Sequence, residues 1–316
     1  MSRVSVISVA IFIFCVIPSR AGVVLPYEQG FDVGDFRVFS LAELNVRAGL
    51  GSPQPGETFY VNSSPGALLG ADAIVIATGT NNAGVNDNPS GMDNAYRTPD
   101  GAGSSFDTTV VVDPTDGPAS GDLASTWDAE VSALRTHLGP DGQFVVYFNM
   151  NDTGNDDLDG IDMLIWAEFT LSGVAVPDKV FTLYDIFSDG GFDDWVYAYG
   201  TICASPTEYF HAGPCVGGEP AGAQDINQNL GANAAAFAAF NQELNDLILD
   251  SNSGYTLLNI EAKMSRINNG YEQAFILADT SVRRIQVDAP ASMGLLLLGI
   301  MVLGVRLRLR MRQFAA

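Results

Sequence analysis

Asp162-Met163-Leu164-Ile165-Trp166-Ala167-Glu168-Phe169-Thr170-Leu171 is the stretch on which the fold class turns. Met163, Ile165, Ala167, Phe169 and Leu171 fall on one side of a period of two, and Trp166, Glu168 and Thr170 on the other. A strand points alternate side chains to opposite faces, so the pattern predicts a half-buried strand. Residues 255–267 repeat it. Leu258, Ile260, Ala262 and Met264 should point inward, with Asn259, Glu261, Lys263 and Ser265 toward water. The Asn268-Asn269-Gly270 turn then favours a tight hairpin, which predicts pairing with residues 273–278.

Outward from these strands, residues 144–150, 180–187 and 195–202 have the same β-branched and aromatic character. Earlier in the chain, residues 36–41, 59–61, 73–77 and 108–112 read as short strands between Gly, Pro, Asn and Asp clusters. Two helices are predicted. One spans residues 125–138, with Ser125 as N-cap and Gly139-Pro140 as the stop. The other spans residues 232–249, where Phe237, Phe240, Leu244, Leu247 and Ile248 form one stripe. The expected fold class is mainly β: an antiparallel β-sandwich or jelly-roll-like domain over residues 22–286, with two packed helices.

Composition narrows the function. The chain has 316 residues, of which only 16% are charged, and a net charge of −22. Nucleic acid is excluded as a partner, because affinity for a polyanion comes from neutralising phosphates with Lys and Arg. Six of the 15 basic residues and one of the 37 acids, Asp288, lie in the two terminal segments described next, which leaves nine against 36, a net of −27. Such a surface repels anionic membranes and polysaccharides unless divalent cations bridge them.

Residues 1–21 read as a secretory signal peptide. Arg3 supplies the positive start, residues 4–17 are almost unbroken apolar, and Ser19 and Ala21 suit a cut after Ala21. At the other end, residues 287–312 combine a short motif with an apolar segment and a basic cluster. The apolar segment, about residues 290–309, is long enough to span a bilayer as a transmembrane helix. Arg306, Arg308, Arg310 and Arg312 follow or close it and should stay cytoplasmic.

That three-part tail resembles the PEP-CTERM sorting signal of Gram-negative bacteria. The family motif reads Val-Pro-Glu-Pro-Ala-Ser; here Val287, Pro290, Ala291 and Ser292 match it, while Asp288 and Ala289 stand in for its first Pro and its Glu. The resemblance covers about the last thirty residues. It implies an inner-membrane intermediate, processing by an exosortase as partner, and transfer to the cell surface or exopolysaccharide matrix. An ordinary C-terminal membrane anchor is the competing reading.

Three cysteines are present. Cys15 lies in the signal run, so Cys203 and Cys215 are left as a pair, and export predicts a disulfide between them. By loop-closure entropy, a bridge over so short a loop contributes about 3 kcal/mol.

Two acidic loops are the candidate metal sites. Asn155, Asp157 and Asp159 with Gly160, followed by Asp162, give hard oxygen ligands at alternate positions, the start of a Ca²⁺ loop. Trp166 stands where the full EF-hand needs a bidentate Glu. Asn and Asp also favour any hairpin turn, so a plain turn is the alternative. Asp189 and Asp193, with Asp185 and Asp194, form the weaker second cluster, and carboxylates there could also serve a glycoside hydrolase. Trp127, Trp166, Trp195, Tyr197 and Tyr199 could stack on sugars or pack across strands.

No H-E-x-x-H, G-x-S-x-G, Walker A or dinucleotide motif occurs. The expected function is therefore a non-enzymatic exported surface or matrix protein. A secreted carbohydrate-active enzyme and a calcium-dependent glycan-binding module are the alternatives.

Overall fold

The structure, a computed structural model, describes residues 23–63, 73–79, 87–99, 104–111, 123–151, 161–184, 195–206, 209–267, 272–278 and 280–283. The expected signal peptide, sorting motif, apolar segment and arginine cluster all lie outside these residues. In chain order the first strands are β1 (Val23–Pro26), β2 (Phe31–Val33) and β3 (Phe36–Ser40), followed by helix α1 (Leu41–Arg47). Next come β4 (Ala73–Thr78), β5 (Tyr96–Arg97), β6 (Ser104–Asp107) and β7 (Trp127–Glu130), then α2 (Val131–Leu138). The middle of the chain holds β8 (Val145–Asn149), β9 (Ile161–Ser172), β10 (Lys179–Leu183) and β11 (Val196–Tyr199). β12 (Thr201–Ala204), β13 (Tyr209–Ala212), β14 (Gln224–Asn227) and β15 (Ala235–Phe240) lead to α3 (Gln242–Leu249). β16 (Leu257–Ile267), β17 (Ala274–Leu277) and β18 (Thr280–Arg283) complete the described chain.

The protein is mainly β, and the strands among the described residues form four sheets. The largest sheet has the order β2-β3-β15-β8-β17-β4-β5, antiparallel except for its β4–β5 edge. A six-stranded sheet is built on the long β9–β16 pair, with β10 and β11 end to end along the far edge of β9. β6 and β7 share the outer edge of β16 in the same way. A three-stranded sheet, β13-β12-β14, and a parallel β1–β18 pair make up the rest.

The inner faces of the two large sheets share one apolar cluster. Ile74, Phe148 and Ile276 from the larger sheet meet Ile165, Phe169 and Ile260 from the smaller. The Phe36 and Phe169 rings are 4.8 Å apart, and Phe144 meets the same ring edge-on at 6.3 Å. Strand alternation sends Phe39, Tyr147, Phe240 and Phe275 to the opposite face, where Leu41 and Leu44 of α1 cover them. A third cluster packs Ala42 and Val46 of α1 against Ile202, Ala204 and Ile226 of the three-stranded sheet. Through its two apolar sides, α1 is the joint between these layers.

The period-two reading of β9 and β16 holds. Met163, Ile165, Ala167, Phe169 and Leu171 are buried, as are Leu258, Ile260, Ala262 and Met264. Asn259 departs from it: it is 5% exposed, because its amide donates to the buried Asp128 carboxylate at 2.6 Å. The expected hairpin after β16 does not form. β17 leaves for the other large sheet and lies between β8 and β4.

Both predicted helices are shorter than expected. Residues 127–130 are strand, because their edge bonds to Leu257–Ile260, and α2 starts at Val131 with Glu130 rather than Ser125 as its cap residue. It ends at Gly139, as expected, where φ is 69°. Ala235–Phe240 is a central strand between β3 and β8 and is apolar on both faces, so its pattern carries no strand signature. Only the last part, α3, is helical, and Asn241 caps it by accepting from Leu244 N at 2.7 Å. Leu41, expected to end a strand, instead opens a third helix, α1. There Ser40 Oγ accepts from Glu43 N at 3.2 Å. Residues 59–61 form no strand, and Thr108–Val110 form a turn after β6.

Candidate functional site

A half-open cavity of about 230 Å³ lies between the two large sheets beside α1. Its walls are Val38, Phe148, Phe237 and Ala239 on one side and Ile165, Leu183, Val196 and Ala198 on the other. Phe31, Val33, Tyr197 and Tyr199 are half-buried around it. Glu43, Ser40 and Gln228 bring the polar atoms. Helical spacing explains Glu43: with Leu41 and Leu44 packed on one sheet and Ala42 and Val46 on another, position 43 is left facing the gap.

The Glu43 side chain is only 2% exposed. Its Oε1 accepts from both Nε and Nη2 of Arg47, one turn on, with the Nε bond at 2.8 Å. Oε2 is buried and has no hydrogen-bond partner. Burial pushes the Glu43 carboxyl above its ordinary pKa of 4.5, and the Arg47 guanidinium opposes that only in part. Ser40 Oγ already accepts from Glu43 N, and Gln228 Nε2 donates to Tyr199 O at 2.9 Å. Glu43 has a sequence signal that a strand reading of residues 36–41 passes over: Ser40-x-x-Glu43 has the spacing of a helix-start motif, with Arg47 four residues beyond.

A second, open cleft of about 600 Å³ lies where residues 52–62 run beside residues 227–234. Ser52, Gln54, Tyr60, Asn62, Asn227, Asn229 and Asn233 line it with Pro53, Pro55, Leu230 and Ala234, and none of these is charged. The two walls are pinned by Tyr60 Oη donating to Asn233 O at 3.2 Å and by Ala235 N donating to Val61 O at 2.9 Å.

Cys203 and Cys215 form the expected disulfide, with Cα atoms 4.9 Å apart. It ties β12 to the loop before β14. Cys203 Sγ, His211 and Glu219 bring ligand-type atoms within 4.8 Å of one another, but a sulfur in a disulfide offers no thiolate to a metal. His211 Nδ1 lies 2.8 Å from Ala212 O, and Nε2 is 3.8 Å from Glu219 Oε1. Glu219 is held below its ordinary pKa by a hydrogen bond from its own backbone amide. Burial, the next largest effect, opposes this, and the Val216 and Gly217 amides and His211 add to the lowering.

Of the acidic candidates, Asp162 is the one described. It is 7% exposed, and its carboxylate lies over Gly200, where an added Cβ would come within 1.6 Å of Oδ2. That close approach marks the break between β11 and β12, which residues 195–202 do not show as a single predicted strand. Asn155, Asp157, Asp159, Asp189 and Asp193 lie outside the described residues. In the chain, residues 152–160 fall between β8 and β9, and residues 185–194 between β10 and β11. Leu183 and Val196 pair with Ala167 and Ile165, while Tyr199 pairs with Ile161.

The aromatic candidates divide. Trp127 is fully buried, with its indole N–H donating to Asp93 O at 3.1 Å. Trp166 stacks on Tyr184 at 5.4 Å, and its cross-strand neighbour Lys263 lies 4.4 Å from its ring centroid. Both are packing roles. Tyr197 and Tyr199 line the cavity.

Among the described residues no helix is long and apolar enough to cross a membrane. No curated protein and no solved structure matches the chain. A family model described as "Domain of unknown function (DUF8239)" matches residues 23–263, from the first described strand into β16; β17 and β18 lie beyond it. With that much of its length matched, the chain belongs to the DUF8239 family.

Proposed function

We propose that this chain is a non-enzymatic exported protein of the bacterial surface or extracellular matrix. It is parked in the inner membrane by its C-terminal helix and released outward through its PEP-CTERM-like signal. In this reading the two large sheets are the faces of a β-sandwich, and the domain is the cargo. The arrangement that carries the proposal is an acidic, disulfide-bonded domain placed between an N-terminal secretory signal and an apolar segment closed by arginines. A disulfide persists in the oxidising compartments that such signals lead to.

The uncharged cleft supports an association with exopolysaccharide. A surface of net −27 repels anionic polymers, whereas amide and hydroxyl side chains offer donors and acceptors to a neutral saccharide without any charge to desolvate. Neutral glycan chains are the matrix component that this protein should tolerate.

Co-expression with an exosortase, followed by mass spectrometry of the C-terminus of surface-associated protein, tests the reading. The expected result is a chain shortened near Val287–Ser292 only when the enzyme is present. An unshortened tail through Arg312 in surface material would overturn it.

A further inference from the structure

Acids outnumber bases four to one between the terminal segments, yet no charged side chain lines the cleft between residues 52–62 and 227–234. Five of its eleven lining residues carry carboxamides instead: Gln54, Asn62, Asn227, Asn229 and Asn233. A carboxamide offers an acceptor and two donors, but on the 227–234 wall the acceptors are spent. Asn227 Oδ1 accepts from Asn229 N at 2.9 Å, and Asn229 Oδ1 accepts from Gly231 N at 3.4 Å. A backbone N–H can only donate, so these bonds fix which end of each amide is oxygen and leave Nδ2 as the end for a ligand. The Asn233 carbonyl accepts twice, from Ser63 N and from Tyr60 Oη, both at 3.2 Å. Asn227 is exposed and Asn229 half-buried, and Pro53, Leu230 and the Tyr60 ring add apolar surface to the same cleft. Because the bonds to Asn233 and the 2.9 Å bond from Ala235 N to Val61 O tie the walls together, a ligand has little to order on entering.

We propose that this cleft recognises a neutral glycan by its N-acetylated sugar units, the acetamido carbonyl accepting from the Nδ2 groups of Asn227 and Asn229 and the methyl packing on the apolar side chains. A wall rich in donors selects an acceptor. A sugar hydroxyl carries a proton that must itself find a partner, whereas an acetamido carbonyl only accepts. A carboxylate or sulfate accepts more strongly, but its charge meets no cation in the cleft and is opposed by the net charge of −27. A protonated amino sugar has no acceptor at its nitrogen. The cleft is open and about 600 Å³, so units within a chain can enter as well as those at its end. The assignment rests on the cleft as the place where neutral exopolysaccharide associates, and it is independent of the sorting tail.

The probes are chitotetraose and cellotetraose, which share one linkage and differ only in bearing an acetamido group or a hydroxyl on each ring. Each is titrated by calorimetry into the full-length chain, held in solution by a detergent without a sugar headgroup. Chitotetraose should bind and raise the melting temperature, because a ligand of the native state stabilises it by mass action. Cellotetraose should bind about tenfold more weakly or worse, the worth of one or two hydrogen bonds and a buried methyl. Asn227→Asp keeps an oxygen for Asn229 N but removes the Nδ2 donor, so it should melt as the parent does and lose chitotetraose affinity by about tenfold or more. Should that variant fail to fold, the comparison of the two sugars on the parent chain decides alone. Equal affinity for the two sugars, or unchanged binding in folded Asn227→Asp, would overturn the acetamido assignment and leave the association with neutral glycan in place. No heat and no shift with either sugar at millimolar concentration would overturn both.

Discussion

Glu43 is subject to two opposed effects. Arg47 pairs with one carboxylate oxygen, while burial penalises the charge and leaves the other oxygen without a donor. The burial effect is the larger, so the folded-state pKa lies above 4.5. A raised acid binds its proton more tightly in the native state, and so the native state gains stability on acidification through that window. As pH rises from 4.5 through the raised value, the contribution of Glu43 falls, and above it the loss is complete. Glu219 has the opposite sign, since a lowered acid supports the fold above its ordinary value and loses that support as pH falls. Urea unfolding of the parent and of Glu43→Gln across pH 4–8 separates the two. The parent-minus-variant stability should decline with rising pH, and a flat difference would show that the carboxyl is not perturbed by burial.

At the scale of the element, Asn241 is the point where one segment changes from strand to helix. Its side chain accepts from Leu244 N and also donates to Asp35 O, which holds the turn between β15 and α3 against the start of β3. Asn241→Ala removes the cap and should cost about 1–2 kcal/mol, read as a lower melting temperature with an unchanged β signal in circular dichroism. This turn also shows what the sequence hides. β9 and β16 were legible because one face of each is buried and the other is wetter, which leaves a period of two in the residues. β15 is buried on both faces, so its Ala-Ala-Phe-Ala-Ala-Phe run has no period to read and joins the helical stripe beyond it. β7 was lost for a related reason: Trp127 and Ala129 are core, but Asp128 is buried too, bonded to Thr126 and Asn259. The Cys203–Cys215 bridge needed only a count of residues. The Glu43 cavity needed three layers to be placed around one short helix, and long-range packing of that kind leaves no local pattern.

At the scale of the whole molecule, the three-stranded sheet is attached through a small cluster under α1, and the disulfide braces it internally by tying β12 to the loop between β13 and β14. Replacing both cysteines by Ala should cost about 2–4 kcal/mol. The loss should be local first. Amide exchange should quicken across β12, β13 and β14 while β9 and β16 keep their protection, because those strands sit in the main core. Uniform loss of protection would mean that the small sheet and the core unfold as one unit.

The parallel β1–β18 pair sets Val23 beside Thr280 and Pro26 beside Arg283. Whatever precedes Val23 and whatever follows Arg283 therefore leave opposite ends of the same short ladder, roughly 10 Å apart at a strand rise of about 3.3 Å per residue. Pulling on the chain beyond Arg283 loads the ladder at the end where β1 also runs into the body, at Pro26. Its rungs therefore yield in turn, and the body meets the force only after the last of them.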